Sequence, residues 1–499
     1  MHFELTRRSR WCRCLPGMGI LLFLLAGAAS AGELKPPRMF GAGSFPFGVA
    51  VGDFNEDGKL DLAVANSNLL SQHSSSLGVF LGNGDGTLQP MAGYQVGRTP
   101  RAVVTGDFNG DGHLDLAVVN QDGFVSVLLG DGHGNFGNAV NFAAGPSPLS
   151  IAAGDFNGDG HLDLAVANFV EKATPGQVSV LIGNGDGTFR PPVQFAAGVV
   201  PQAIAVGDVN GDGRPDLIVA NDGYGNIPGK VGVLLGQGDG SFGPVKEYGA
   251  GVNPFAVALG DFNGDGHLDV VVTDETQLRV EVLLNDGTGG FNAAVSYPTG
   301  QNPFSVAVGD VNGDGVLDLV VANMADGTVS VLLGTGNGTF ETGMAYNAGL
   351  GVATSVSPQA VALGDFNGDR HPDVAVANAT LPLGTVSLLL NTGSAALLVS
   401  PTVLSYVATG VGTSSPPATV TVRNNAKVSL PIAAITVAGM NGSDFLKSGT
   451  CSSSLAPQEA CTISVTFHPR QKGDRTAVLV IGDGAPDSPQ EVLLRGVGQ

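Results

Sequence analysis

The chain has 499 residues, 43% hydrophobic and 13% charged, with 76 glycines and a formal net charge of −21. That describes a globular, turn-rich, acidic chain of more than one domain. The acidity argues against nucleic acid or an anionic membrane as partner, because lysine and arginine would have to neutralise the phosphates; cations are the natural counterpart.

Residues 1–31 read as a secretory signal. Arg7, Arg8, Arg10 and Arg13 precede the apolar run "GILLFLLAGA", and "ASA" at Ala29 to Ala31 precedes Gly32, so cleavage is expected after Ala31. A membrane anchor is the alternative, but the run is too short to span a bilayer and ends in small residues. The paired Arg7 and Arg8 hint at a folded-export route that Trp11 and Cys12 do not continue, so the route stays open. Cleavage removes four arginines and one glutamate, leaving 19 basic against 43 acidic residues, a net −24. It also removes the only tryptophan and two of four cysteines. Cys451 and Cys461, left in a secreted chain, are expected to form a disulfide.

A motif D-x-N-x-D-G-x-x-D recurs from Asp53, Asp107, Asp155, Asp208, Asp261, Asp310 and Asp365, at intervals of 54, 48, 53, 53, 49 and 55 residues; the seventh copy has arginine for the glycine. A second element resembling "GNGDGTF" ends at Leu88, Phe136, Phe189, Phe242, Phe291 and Phe340, and the seventh repeat has "NTGSAAL" instead. A third element, an aromatic three residues before glycine, falls at Phe40, Tyr94, Phe142, Phe195, Tyr248, Tyr297 and Tyr346. Its first copy precedes the first aspartate motif and none follows the last. A ring closed by the N-terminal strand requires that offset, whereas a linear stack has no use for it.

Each repeat offers four strand-like runs, such as "LSIAAG", "LDLAVAN", "VSVLIG" and "VQFAAG", separated by Gly, Asn or Asp. The expected fold is all-β: a seven-bladed β-propeller over residues 32–394, then an immunoglobulin-like β-sandwich over 398–499. The strand near Arg38 to Gly43 should complete the blade containing "VSLLL" at Val386 to Leu390. A straight β-solenoid is the alternative.

Within each motif, positions 1, 3, 5 and 9 carry oxygen side chains, and glycine at position 6 permits a sharp turn, the pattern expected to gather a hard cation such as calcium. The candidate ligands are Asp53, Asn55, Asp57 and Asp61; Asp107, Asn109, Asp111 and Asp115; Asp155, Asn157, Asp159 and Asp163; Asp208, Asn210, Asp212 and Asp216. The last three sets are Asp261, Asn263, Asp265 and Asp269; Asp310, Asn312, Asp314 and Asp318; Asp365, Asn367, Asp369 and Asp373, for up to seven ions. Position 12 is already apolar strand, so Asp at position 9 is expected to supply the last carboxylate. Ordinary solvated surface is the competing explanation, but three carboxylates per loop repel one another without a cation. Arg370 at position 6 should make the seventh site the weakest. Glu56, at position 4 of the first loop, looks less serious because its side chain can point outward.

"DFNGDGHLDLAVAN" and "FPFGVAVGDFNEDG" resemble FG-GAP/VCBS repeats, the units of integrin α-subunit propellers and of many secreted bacterial proteins, over about residues 34–394. The resemblance implies calcium on one face and adhesion or recognition on the other, with no ligand specified. The loops on that other face vary, among them "SNLLSQHSSS" (Ser67 to Ser76), "FVEKATPGQ" (Phe169 to Gln177) and "DGYGNIPGK" (Asp222 to Lys230). The C-terminal "SDFLKSGTCSSSLAPQEACTISVTFHP" and "LLRGVG" resemble ASH-like, choice-of-anchor D type domains, which implies attachment or spacing and again pairs Cys451 with Cys461.

His113, His161, His267 and His371 all occupy position 7, where Lys59, Arg214 and Val316 stand in other copies, so no shared catalytic role fits them. No nucleophile elbow, phosphate loop or zinc spacing is present, and no enzyme is expected. The expected function is a secreted calcium-binding adhesion or recognition module whose partner is an extracellular protein or glycan. A lectin is the main alternative, with Phe169 and Tyr224 as uncommitted aromatics in variable loops; a carbohydrate-active enzyme ranks below it.

Overall fold

The computed structural model describes residues 34–67, 76–170, 175–349, 356–380, 383–392, 397–401, 403–424, 429–451, 453, 454–456, 459–483 and 489–499. The signal segment, residues 68–75 of the first variable loop and residues 171–174 of the second lie outside the described residues.

Val, Leu and Ala between Gly and Asp turns produce seven four-stranded antiparallel sheets. Blade 1 comprises Pro46–Gly52, Asp61–Asn66, Ser76–Phe80 and Ala92–Gln95. The second strand of every blade is buried along its whole length, as in Asp163–Asn168. That burial explains its unbroken apolar run between polar ends. The first strands of neighbouring blades pack together and surround a central axis.

Blade 7 closes the ring. Its sheet takes Pro358–Gly364, Asp373–Asn378 and Gly384–Leu389 from the C-terminal end of the repeats and Arg38–Gly43 from the N-terminal end. Phe40 pairs with Val386 in antiparallel register, which accounts for the aromatic element that runs one step ahead of the aspartates.

The blades are joined by aromatic triplets at the end bearing the aspartate loops. Phe54 of blade 1 meets Phe136 of blade 2 edge-on at 5.5 Å, and Phe136 meets Tyr94 at 5.6 Å. The pattern recurs as Phe108–Phe189–Phe142, Phe156–Phe242–Phe195 and Phe262–Phe340–Tyr297. Beside each triplet the next blade's turn donates a backbone N–H to the phenylalanine carbonyl, as Gly134 does to Phe54 at 2.9 Å. Where valine replaces that phenylalanine, an asparagine side chain takes over: Asn285 Nδ2 donates to the Val209 carbonyl at 2.7 Å, and Asn391 Nδ2 to the Val311 carbonyl at 2.6 Å.

The C-terminal residues form two further sheets. One contains Leu397–Ser400, Ala418–Asn424, Ala460–Phe467 and Phe445–Gly449. The other contains Val403–Ser405, Gln490–Gly498, Gly473–Asp483, Leu430–Ala438 and Ser454–Leu455. Alternating side chains of both, including Val420, Ile463, Leu479 and Leu494, make one core. Cys451 and Cys461 are disulfide-bonded. Among the described residues no helix is long and apolar enough to cross a membrane.

Candidate functional site

The aspartate loops connect the first and second strands of each blade, and the glycine-rich turns connect the third and fourth at the same end. In the blade 3 loop the Asp155 carboxylate accepts backbone N–H groups from Gly158, Asp159 and Gly160 at 2.7, 3.2 and 2.9 Å. Asn157 Oδ1 accepts from the Asp159 N–H at 2.8 Å, and Asp159 Oδ1 from the His161 N–H at 2.9 Å. The side chains at positions 1, 3 and 5 are therefore held in one tight curl by the backbone they cap.

Position 9 does something the sequence did not disclose. Asp163 is fully buried, its Oδ2 accepts the Phe156 N–H at 2.8 Å, and its Oδ1 accepts the Gly183 N–H of the glycine-rich turn at 2.8 Å. The same staple recurs in all seven blades, for example from Asp61 to Phe54 and Gly82, and from Asp373 to Phe366 and Asn391. It joins the two turns of each blade into one unit. A signal was available in the sequence: only position 9 leads directly into a wholly apolar strand.

Burial raises the carboxyls of Asp163 and Asp318 to about 6 and that of Asp373 to about 7, with repulsion from positions 5 and 1 adding to it. Backbone donors offset this only in part. The electrostatic field of each loop thus favours a cation, and the donor set, oxygen atoms only, suits a hard divalent ion. Among the described residues no three His, Cys, Asp or Glu side chains already stand together around one metal position. In most loops the asparagine amide satisfies position 5 instead, as Asn157 Nδ2 does to Asp159 Oδ2 at 2.9 Å; in the first loop Lys59 Nζ reaches Asp57 Oδ2 at 3.1 Å.

Left-handed backbone is required at position 4 as well as position 6. Glu56 has φ 57° and Arg370 has φ 70°, where glycines fill the equivalent places. The expectation that Glu56 is the milder exception is therefore corrected in its backbone, since both residues sit where L side chains are strained. Glu56 gains a partner across the blade boundary, its Oε1 lying 2.5 Å from His113 Nδ1, and this contact raises the His113 pKa.

FG-GAP-like repeats match residues 67–118, 107–166, 169–219, 208–272, 261–321 and 310–376, and an FG-GAP repeat matches residues 45–75. The chain belongs to the FG-GAP-like repeat family. No curated protein matches it. Among solved structures, BBS1N, crystallised in complex with ARL6DN, is similar over 73% of this chain and 99% of its own, at 15% identity and TM-score 0.49. The V. cholerae biofilm matrix protein Bap1 is similar over 72% of this chain and 91% of its own, at 13% identity and TM-score 0.40. An ASH/PapD-like domain of human CEP192 is similar over 21% of this chain and 86% of its own, at 18% identity and TM-score 0.17.

In this FG-GAP propeller Arg370→Gly tests the strained seventh loop. The substitution is expected to stabilise the chain by about 1 kcal/mol, the left-handed strain released less the entropy glycine loses on folding. The midpoint of urea unfolding reads the change.

The opposite end of the FG-GAP propeller carries the connections between second and third strands and between blades. There the structure brings Phe169 and Tyr224 together, from blades 3 and 4, in the lining of one cavity of about 360 Å³ that also includes Asp222, Asn226, Ile227 and Val252. Tyr224 is 45% exposed. The reversals entering the first strands at this end are strained, with φ 61° at Val200 in the same cavity and φ 53° at Thr99.

Proposed function

We propose that this chain is a secreted recognition or adhesion module in which calcium stabilises the propeller and the variable-loop face binds an extracellular protein or glycan. One observation carries the reading. The seven loops at one end repeat the same internal staple, while the other end, free of that constraint, brings Phe169 and Tyr224 of adjacent blades into one cavity. A scaffold with a grafted binding surface is built in this way. Calcium would be held by the Asp and Asn side chains at positions 1, 3 and 5, with position 9 adding charge from beneath while keeping its two backbone hydrogen bonds. In this reading the carboxylates hold the loops.

The cavity's composition favours a lectin as the second reading, because a half-exposed tyrosine beside Asn226 and Asp222 offers a sugar both a ring face and hydrogen-bonding groups. The test is binding of the mature protein, in calcium, to a glycan array and to cell-surface protein extract, repeated with Tyr224→Ala and Phe169→Ala. Each substitution is expected to weaken capture at least about tenfold. Capture on the glycan array selects the lectin, and capture of one surface protein selects adhesion. Unchanged capture by both variants removes this cavity from the reading.

A further inference from the structure

A second cavity, of about 230 Å³, lies on the propeller axis and is lined by the first strands of all seven blades. Each blade contributes the residue that follows the proline opening its first strand. In blades 1 and 2 these are Phe47 and Arg101, in blades 5 and 6 Phe255 and Phe304, and in blades 4 and 7 Gln202 and Gln359. The strands start at the variable-loop end, so the cavity opens there. Loops of one repeated motif surround the other end, whereas here the seven blades carry four residue types, Phe, Gln, Arg and Leu.

The chemistry around the axis is polarised. Arg101 stacks its guanidinium on Phe47 at 4.1 Å and donates from Nη2 to Gln121 Oε1 at 3.1 Å. Its Nε is buried without a hydrogen-bond partner. No carboxylate lines the cavity, and among the described residues Arg101 takes part in no ion pair. Burial alone depresses its pKa to about 10. An aromatic face and one neutral amide compensate a desolvated guanidinium poorly. In a seven-fold ring the position opposite blade 2 falls between blades 5 and 6, where Phe255 and Phe304 stack at 3.9 Å between centroids. The glutamines occupy the flanks. Gln202 Nε2 donates to Asp222 Oδ2 at 3.3 Å, and Gln359 Nε2 to the Ser357 carbonyl at 3.2 Å and its Oγ at 3.0 Å, so each nitrogen is engaged outside the cavity and each amide keeps a carbonyl oxygen able to accept an N–H.

We propose that the axial cavity binds a carboxylate adjoining an amide N–H and an aromatic or branched apolar side chain, the chemistry of a peptide C-terminus. Arg101 receives the carboxylate, Phe255 and Phe304 receive the side chain, and Gln202 or Gln359 accepts the N–H. The volume suits one terminal residue, and a charge-assisted fork on a carboxylate supplies the anion that this cation lacks. The inference deepens the recognition reading and depends on it only for which face meets the partner, since the Tyr224 cavity shares no lining residue with this one and meets it through the Gln202–Asp222 hydrogen bond.

The test titrates the mature full chain, in calcium, with N-acetylphenylalanine, N-acetylphenylalaninamide, and acetyl-Ala-Ala-Phe as free acid and as amide, followed by calorimetry. Both acids are expected to bind saturably and both amides at least about tenfold more weakly, with the tripeptide acid tightest. Arg101→Gln is expected to lose at least about tenfold for the acids while leaving the amides unchanged, and Phe304→Leu to weaken the acids by a smaller factor. The thermal midpoint of each variant is measured in parallel, and Arg101→Met, which removes the charge and keeps an unbranched stem against Phe47, serves if Arg101→Gln does not fold. Equal binding of acid and amide, no saturable binding of either acid, or wild-type affinity in a folded Arg101 variant overturns the proposal. Equal affinity for the tripeptide acid and N-acetylphenylalanine moves the source from a chain terminus to a free N-acyl amino acid. Loss of Tyr224-dependent capture with acid binding intact, or the reverse, tells failure of the two readings apart.

Discussion

Chelation is expected to lower the melting temperature of the mature chain by about 13 °C. At free calcium about ten times Kd each loop contributes roughly 1.4 kcal/mol, and seven independent loops roughly 10 kcal/mol. Spread over a propeller of roughly 360 residues with an unfolding entropy of about 2.1 cal/mol/K each, that energy gives the stated shift. The physical reason lies under each loop: a buried carboxylate such as Asp373, pushed up to about 7, has other aspartates as its neighbours. A divalent ion removes both the repulsion and the preference for a proton. Far-UV circular dichroism in millimolar calcium and then in excess chelator makes the measurement. Asp155→Ala separates the metal from the backbone, because this carboxylate also accepts three backbone N–H groups. Its cost in chelator reports those hydrogen bonds, and the additional cost in calcium reports the ion. Equal melting temperatures with and without calcium would leave the loops as self-capped turns and remove calcium from the proposed function.

Much of this architecture was legible because the repeat is long and its elements are out of phase. Seven aspartate motifs gave the blade count, and Phe40, one step ahead of its partners, gave closure. Features that depend on contact between turns were not legible. Spacing marks Asp163 only as a candidate ligand, and its part as a staple emerges only with Phe156 and Gly183 placed beside it. Asn285 and Asn391 interrupt the glycine pattern, and their purpose appears only once Val209 and Val311 are seen next to them. The axial residues escaped for a related reason. Phe47, Arg101, Leu149 and Gln202 share a position but differ in chemistry, so no repeated motif marks the site, and only the closed ring assembles it. Phe169 and Tyr224 were the reverse case: unrelated in sequence, each chosen as an uncommitted aromatic, and brought into one cavity by adjacent blades.

Removal of residues up to and including Gly43 from the mature chain is expected to destabilise the whole propeller rather than fray one end. Arg38–Gly43 is the fourth strand of blade 7, paired with the strand from Gly384 to Leu389. Ala42 is fully buried with Val386, Leu388, Phe366 and Leu62, so this strand contributes to the contact between blades 7 and 1. Without it the edge at Val386 and Leu388 is open, and an exposed apolar edge recruits other chains. A point substitution makes the same argument without truncation. Ala42→Asp places an unpaired carboxylate in that core and is expected to cost about 3–5 kcal/mol, with one cooperative unfolding transition at a lower midpoint. In an open stack of repeats the same changes would alter only the terminal unit and leave the main transition where it was. A peptide spanning residues 34–43, added to the truncated chain, should pair with the vacant edge by strand addition and restore the midpoint in proportion to its occupancy. A truncated chain with an unchanged midpoint and no response to the peptide would mean that the ring holds without its N-terminal strand.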